Sequence, residues 1–285
     1  MFGMTRRTFA LLGGAASLGA LGVPGLALAE GTLDKIRKSG TVTVGTEAAF
    51  PPFEFIENGK IVGYGSDILA EIVKAMGVKL NQLDLPWQGI LPGVLAGKFD
   101  FVATTVGINE ERAKRYAYTM PIANGQPYAV KRKGDAMKSA TDLNGKVVAT
   151  QLASSTEPVA RDYDAKLKAA GGKGFADLKL FTAFTESYVA LANGEVDTVI
   201  QSLPSLAYLV KQQPDTFELL GAVEVGHQYT YLAWVTRPDD LELRAFLNSE
   251  IRKMRDDGRL YALQDKWFGF RMDIPDSGYL PPGAV

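Results

Sequence analysis

The chain has 285 residues, with 31 basic and 32 acidic side chains, one histidine and no cysteine. A formal charge of -1 provides no field for gripping a phosphate backbone, so no nucleic-acid partner is expected. The absence of cysteine excludes disulfides, thiolate nucleophiles, iron-sulfur clusters and cysteine-ligated zinc. A single histidine removes most of the remaining metal-ligand and acid-base repertoire, so neither metal nor cofactor is expected.

Residues 1–29 read as an export segment. Thr5-Arg6-Arg7-Thr8-Phe9 precedes an uncharged Ala/Gly/Leu run that closes on Ala27-Leu28-Ala29. Five glycines and Pro24 make that run a poor permanent membrane helix. The arginine pair before Phe9 resembles a twin-arginine signal, which implies a folded cargo crossing a bacterial inner membrane. Cleavage after Ala29, with no later cysteine to carry a lipid, predicts a product free in the periplasm. The remaining length suits two lobes. No Pro/Ser/Gly linker or charge block separates two halves, so one lobe is expected to be inserted in the other.

Strand and helix signals then alternate. Thr41–Gly45 reads as a buried strand, and Asp67–Met76 as an amphipathic helix stopped by Gly77. A strand near 79–85, a helix near 90–96 and a strand at 101–104 follow, an order that predicts parallel sheet with helical crossovers. The pattern recurs downstream: Gly145–Ala149 matches Gly40–Val44, and Asn193–Val199 matches Ala96–Val102. Two copies suit paired lobes better than a solenoid. Ligands of open α/β sheets gather beyond the carboxyl ends of strands, so the site should lie where Thr105 and Ser202, the matching strand exits, face each other.

Val44-Gly-Thr-Glu-Ala-Ala-Phe-Pro-Pro-Phe-Glu-Phe55 with Gly59–Tyr64 and Asp67, then Trp87–Asp100, Ile108–Arg112 and Asp257–Gly269, resembles the polar amino-acid-binding proteins of bacterial ABC importers. The resemblance spans nearly all of residues 30–285. It implies a type II periplasmic-binding-protein fold, α/β and two-lobed, each lobe a mixed sheet flanked by helices with the ligand in the inter-lobe cleft. Lobe one is expected at 30–125 and 230–285, and lobe two at 126–229. The implied function is capture of an amino acid or amino-acid-like carboxylate by hinge closure and delivery to an ABC permease in the inner membrane. The implied state is a monomer.

Residue by residue, the resemblance makes Arg112 the holder of the ligand carboxylate, a role its planar fork suits. Phe50 and Trp87 match aromatics that sandwich the ligand side chain. Thr104, Thr105 and Gly107 form the turn before Arg112, where Gly107 replaces a common serine and one hydroxyl contact is expected to be missing. Ser154 and Ser155 match the second loop of the carboxylate cradle and also fit an ordinary helix N-cap. Glu47 matches an acid that reaches polar or cationic side chains in some members.

One departure concerns the ligand's ammonium. Where relatives carry aspartate, this chain has Ser202, and Gly65 replaces an acid of the Gly-Phe-Asp-x-Asp segment. A buried ammonium facing a hydroxyl would lack its counter-ion. The expected ligand is therefore a carboxylate whose amine is absent, substituted or held by Glu47 or Glu186. A dehydratase branch on the same fold needs an acid near that position, which Ser202 cannot supply, so binding rather than catalysis is expected. His227 reads as a loop or hinge residue rather than a base. A third possibility is presentation of the ligand to a separate periplasmic sensor.

Overall fold

The structure, a computed structural model, describes residues 30–226 and 230–285; the export segment and His227 lie outside the described residues. Helix α1 (Thr32–Ser39) buries Leu33 and Ile36 and ends where Gly40 turns left-handed at φ 69°. Strand β1 (Thr41–Thr46) leads into a small antiparallel sheet of β2 (Ala49–Phe50), β3 (Glu54–Glu57) and β4 (Lys60–Val62). Helix α2 (Tyr64–Met76), β5 (Lys79–Asp84), α3 (Trp87–Leu95), β6 (Phe101–Gly107), α4 (Glu110–Ala113), β7 (Ala117–Tyr118) and β8 (Ala123–Asn124) follow.

The second set comprises β9 (Pro127–Arg132), β10 (Val147–Gln151), α5 (Thr156–Ala169), β11 (Asp177–Phe181), α6 (Phe184–Ala192), β12 (Thr198–Ser202), α7 (Leu203–Gln212) and β13 (Phe217–Ala222). The chain then returns through β14 (Tyr231–Thr236) to α8 (Leu241–Asp256) and α9 (Arg259–Trp267). Within residues 31–285, a single compact unit, these elements make two lobes. One is built on the sheet β5-β1-β6-β14-β7, with β8 beside β14, and the other on β11-β10-β12-β9-β13. The chain crosses between them from Asn124 to Pro127 and again from Ala222 to Tyr231.

The internal repeat extends to individual hydrogen bonds. The Asp100 carboxylate accepts from the Thr43 amide, and the Asp197 carboxylate accepts from the Val147 amide, each at 2.8 Å. In both copies the aspartate's own amide donates back across the same junction. Aspartate before the strand thus ties the strand to the start of its parallel neighbour. An arginine completes each copy from the antiparallel strand. Arg237 donates to the carbonyls of Val94 and Phe99, and Arg132 to those of Leu191 and Val196, the corresponding positions.

Three elements exceed their sequence-based bounds for tertiary reasons. Helix α2 starts at Tyr64 because the amides of Tyr64 and Gly65 donate to the Pro52 and Phe53 carbonyls, which replaces a side-chain cap. Strand β6 runs to Gly107 because β14 pairs along its far end, Leu232 opposite Gly107. Helix α3 begins at Trp87, whose indole donates to the Ala153 carbonyl of the other lobe.

Candidate functional site

The carboxyl ends of β1, β6, β10 and β12 meet in a cavity between the lobes, lined among others by Glu47, Phe50, Trp87, Thr105, Gly107, Arg112, Gln151, Ser154, Ser155 and Ser202. Of the expected site residues, Thr104 and the alternative amine holder Glu186 are absent from its wall. The cavity measures about 30 Å³, so a solute enters only if the lobes part. Trp87, Arg112 and Ser154 form a wall shared with a wider space of about 430 Å³ at the cleft mouth.

Arg112 is held at the seam of the lobes. Asn109 caps the short helix α4 by accepting from the Arg112 amide at 2.8 Å, which directs the side chain back toward Gly107. The guanidinium donates to the Gly107 carbonyl at 3.0 Å and, across the cleft, to the Ala153 carbonyl at 2.6 Å. It lies 5.3 Å from the centre of the Trp87 ring. Burial pushes its pKa below the ordinary arginine value, with Tyr118 opposing the shift. None of the ion pairs among the described residues involves Arg112. A desolvated cation whose partners are neutral groups has unused affinity for an anion.

Two acids sit nearby. Glu54 is fully buried and accepts from the Thr104 hydroxyl, the Thr105 hydroxyl and the Thr105 amide. Desolvation outweighs these bonds and pushes its pKa up to about 8. Glu47 accepts from Gln151 of the other lobe at 2.5 Å, and burial raises it to about 7. Glu47 is the one carboxylate among the described residues lining the cavity.

The expected roles are placed as follows. Thr104 and Thr105 give the donors just described to Glu54, so a ligand would compete with that acid for them. Phe50 stacks across the cleft on Phe184, ring centres 5.9 Å apart, while Trp87 faces Arg112; the two rings are engaged separately. Ser154 donates to the Gln151 carbonyl within its own turn. Ser155 opens α5 but its hydroxyl makes no capping bond. Ser202 donates to Ser205. Glu186 does not reach the cleft: its carboxylate accepts from the Thr182 and Ala183 amides at the start of α6, and it is exposed.

Sequence reasoning missed Gln201, Phe184 and Glu54. Gln201 is 2% exposed, lines the cavity, and its amide nitrogen has no partner. Its oxygen accepts from the Ser202 amide, so the cavity receives a donor here. The repeat offered a signal, because Gln201 occupies the position matching Thr104.

Two mixed α/β lobes joined by crossing segments and closing over a buried arginine define a hinged solute-binding protein. The chain belongs to the bacterial extracellular solute-binding proteins, family 3, which residues 42–270 match. It is 30% identical over 243 residues to the L-cystine-binding protein TcyJ of Escherichia coli, covering 84% of this chain and 87% of that one. It is 28% identical over 239 residues to the L-cystine-binding protein TcyA of Bacillus subtilis, covering 82% and 83%. Among solved structures, an ancestral arginine-binding protein bound to arginine superposes with TM-score 0.69 at 35% identity, over 81% of this chain and 99% of that one. The ancestral amino acid-binding protein AncCDT-1, a precursor of cyclohexadienyl dehydratase, superposes with TM-score 0.72 at 29% identity, over 84% and 100%. Among the described residues no helix is long and apolar enough to cross a membrane.

Proposed function

We propose that this protein captures an amino acid or amino-acid-like carboxylate between its lobes in the periplasm and delivers it to an ABC permease. The observation that carries the reading is Arg112: a buried guanidinium at the seam, held by carbonyls from both lobes, with an aromatic face behind it. Lobe one is taken as 30–125 plus 230–285 and lobe two as 126–229. Ligand contacts from both lobes favour the closed state, and the switch requires that state to bind better by several kcal/mol. Relatives named for arginine and L-cystine point to solutes with an α-carboxylate. Ser202 with the Gln201 amide donor supports a ligand whose amine is absent or substituted, or reaches Glu47 instead.

The test is a thermal-shift and calorimetric screen of refolded residues 30–285 against amino acids, cystine, N-substituted amino acids and amine-free carboxylates. A solute at ~100 times its Kd adds ~2.7 kcal/mol of stability. Arg112→Ala should weaken the best binder by about 2 to 5 kcal/mol. Unchanged affinity in that variant would remove Arg112 from the site.

A second reading is favoured by Glu47, a cavity acid raised to about 7 and so able to donate a proton near neutrality. It makes the chain a dehydratase of the kind AncCDT-1 precedes. Turnover of prephenate would support that reading, and its absence would leave binding alone.

A further inference from the structure

Residues 271–285 lie past the 42–270 that match the family, and they run from α9 across α8 to α4. Three anchors fix the first part. The Met272 amide donates to the Gln264 side chain at 2.6 Å, Ile274 is buried in the core, and Asp276 pairs with Arg252 and Arg255 of α8. Tyr279, Leu280 and Ala284 then pack against the hydrophobic cluster that contains Ala113, Tyr116 and Tyr118. Val285 meets α4 itself: its amide donates to the Ala113 carbonyl at 2.9 Å, while Arg244 of α8 donates to a Val285 oxygen at 3.2 Å.

Helix α4 needs support from outside. It has four residues, and the last four carbonyls of an α-helix have no partner inside it. Asn109 caps its start, and the Val285 amide satisfies its other end one residue after Arg112. The cluster beneath the segment also carries Tyr118, whose hydroxyl donates at 3.1 Å to the Gly107 carbonyl that holds the Arg112 guanidinium. Any play in this one turn passes directly to the guanidinium.

We infer that residues 279–285 are a strap that positions Arg112: by packing against the α4 cluster and donating to Ala113, they fix the turn from which the guanidinium reaches the seam. Val285 is the positioning residue, acting through its backbone amide from outside the cavity wall. The hold on α4 stands without any solute, whereas its effect on affinity rests on the carboxylate-capture reading.

Val285→Pro deletes the amide donor and Val285→Ala keeps it; the side chain is exposed, so neither change empties a core position. In solute-free protein, hydrogen exchange is followed at the Ala113 amide and at the Arg112 guanidinium, assigned by its loss in Arg112→Lys. Both should quicken about tenfold in Val285→Pro, as expected for one lost hydrogen bond that governs a local opening. Amides of β1, an inner strand of the sheet that includes β6, should keep their rates, and Val285→Ala should match the unsubstituted protein. Arg112 exchange that is unchanged in Val285→Pro, or already unprotected in the unsubstituted protein, would overturn the positioning role. So would an equal quickening in β1, which marks general loosening, or a Val285→Ala that behaves as Val285→Pro. Titration with acetate, followed on the Arg112 resonance, reads the consequence: Val285→Pro should raise the acetate dissociation constant about threefold or more. Equal affinity would overturn the link from strap to binding. An Arg112 resonance that acetate leaves unmoved in the unsubstituted protein would overturn carboxylate capture at Arg112 while the exchange result stands.

Discussion

Replacing Glu54 by glutamine isolates what this buried acid costs the fold. Its carboxyl is raised from an ordinary 4.5 to about 8 by desolvation, against three opposing hydrogen bonds from Thr104 and Thr105. Because the folded value is the higher one, the associated stability is fully present below pH 4.5. It drains away as pH rises toward 8. Between pH 5 and 7 the folded protein holds this proton and the unfolded chain has lost it. Stability should then fall by roughly 1 kcal/mol per pH unit, or about 2 to 3 kcal/mol over that interval, from this group alone. Glutamine keeps the shape: its oxygen can accept from the Thr105 amide while its nitrogen donates to the Thr105 hydroxyl. Equilibrium unfolding in urea at pH 5, 6 and 7 should show wild type losing about 2 to 3 kcal/mol more than Glu54→Gln. Parallel pH profiles would mean that Glu54 is ionised in the fold and that the argument from burial is wrong.

Gly65→Ala should destabilise by about 1 to 3 kcal/mol, because a Cβ there would stand 1.9 Å from a Glu54 oxygen; recovery in a Glu54→Ala background, read by the same unfolding assay, tests the cause. Arg132→Met and Arg237→Met each remove two bonds to carbonyls, of which Leu191 and Val94 keep the Gly194 and Gly97 amides as donors, together with ion pairs to Asp135 and Asp240, and should cost about 1 to 3 kcal/mol apiece, the two losses adding because they lie in different lobes. If a ligand amine rests on Glu47, affinity should rise as pH passes through about 7 and the rise should vanish in Glu47→Gln; a flat wild-type titration from pH 6 to 8 would place the amine elsewhere.

Local patterning exposed the architecture in the sequence, whereas spatial exchange hid parts of the site. The repeat was readable because Asp100 and Asp197 each perform one local task, tying a strand to its parallel neighbour, and such a task leaves residue type and spacing behind. The arginines that finish each copy were not readable, since Arg132 precedes its partners in the chain and Arg237 follows them. The same cause explains two of the three departures from the family pattern. Gly65 looked like a missing acid, but the Glu54 carboxyl fills the space a side chain at 65 would take. Gly107 looked like a missing hydroxyl, but the Ser155 hydroxyl stands in that space. Each exchange joins residues remote in sequence, so position-by-position reading registers the loss and not the return. Ser202 differs from both. Its hydroxyl turns to Ser205, the adjoining Gln201 presents an amide donor, and no acid of the second lobe lines the cavity among the described residues. Two departures are compensated in space and the third is not. A change in what the cleft accepts should therefore be sought at Ser202, where a restored aspartate ought to improve binding of free amino acids at the expense of ligands without an amine.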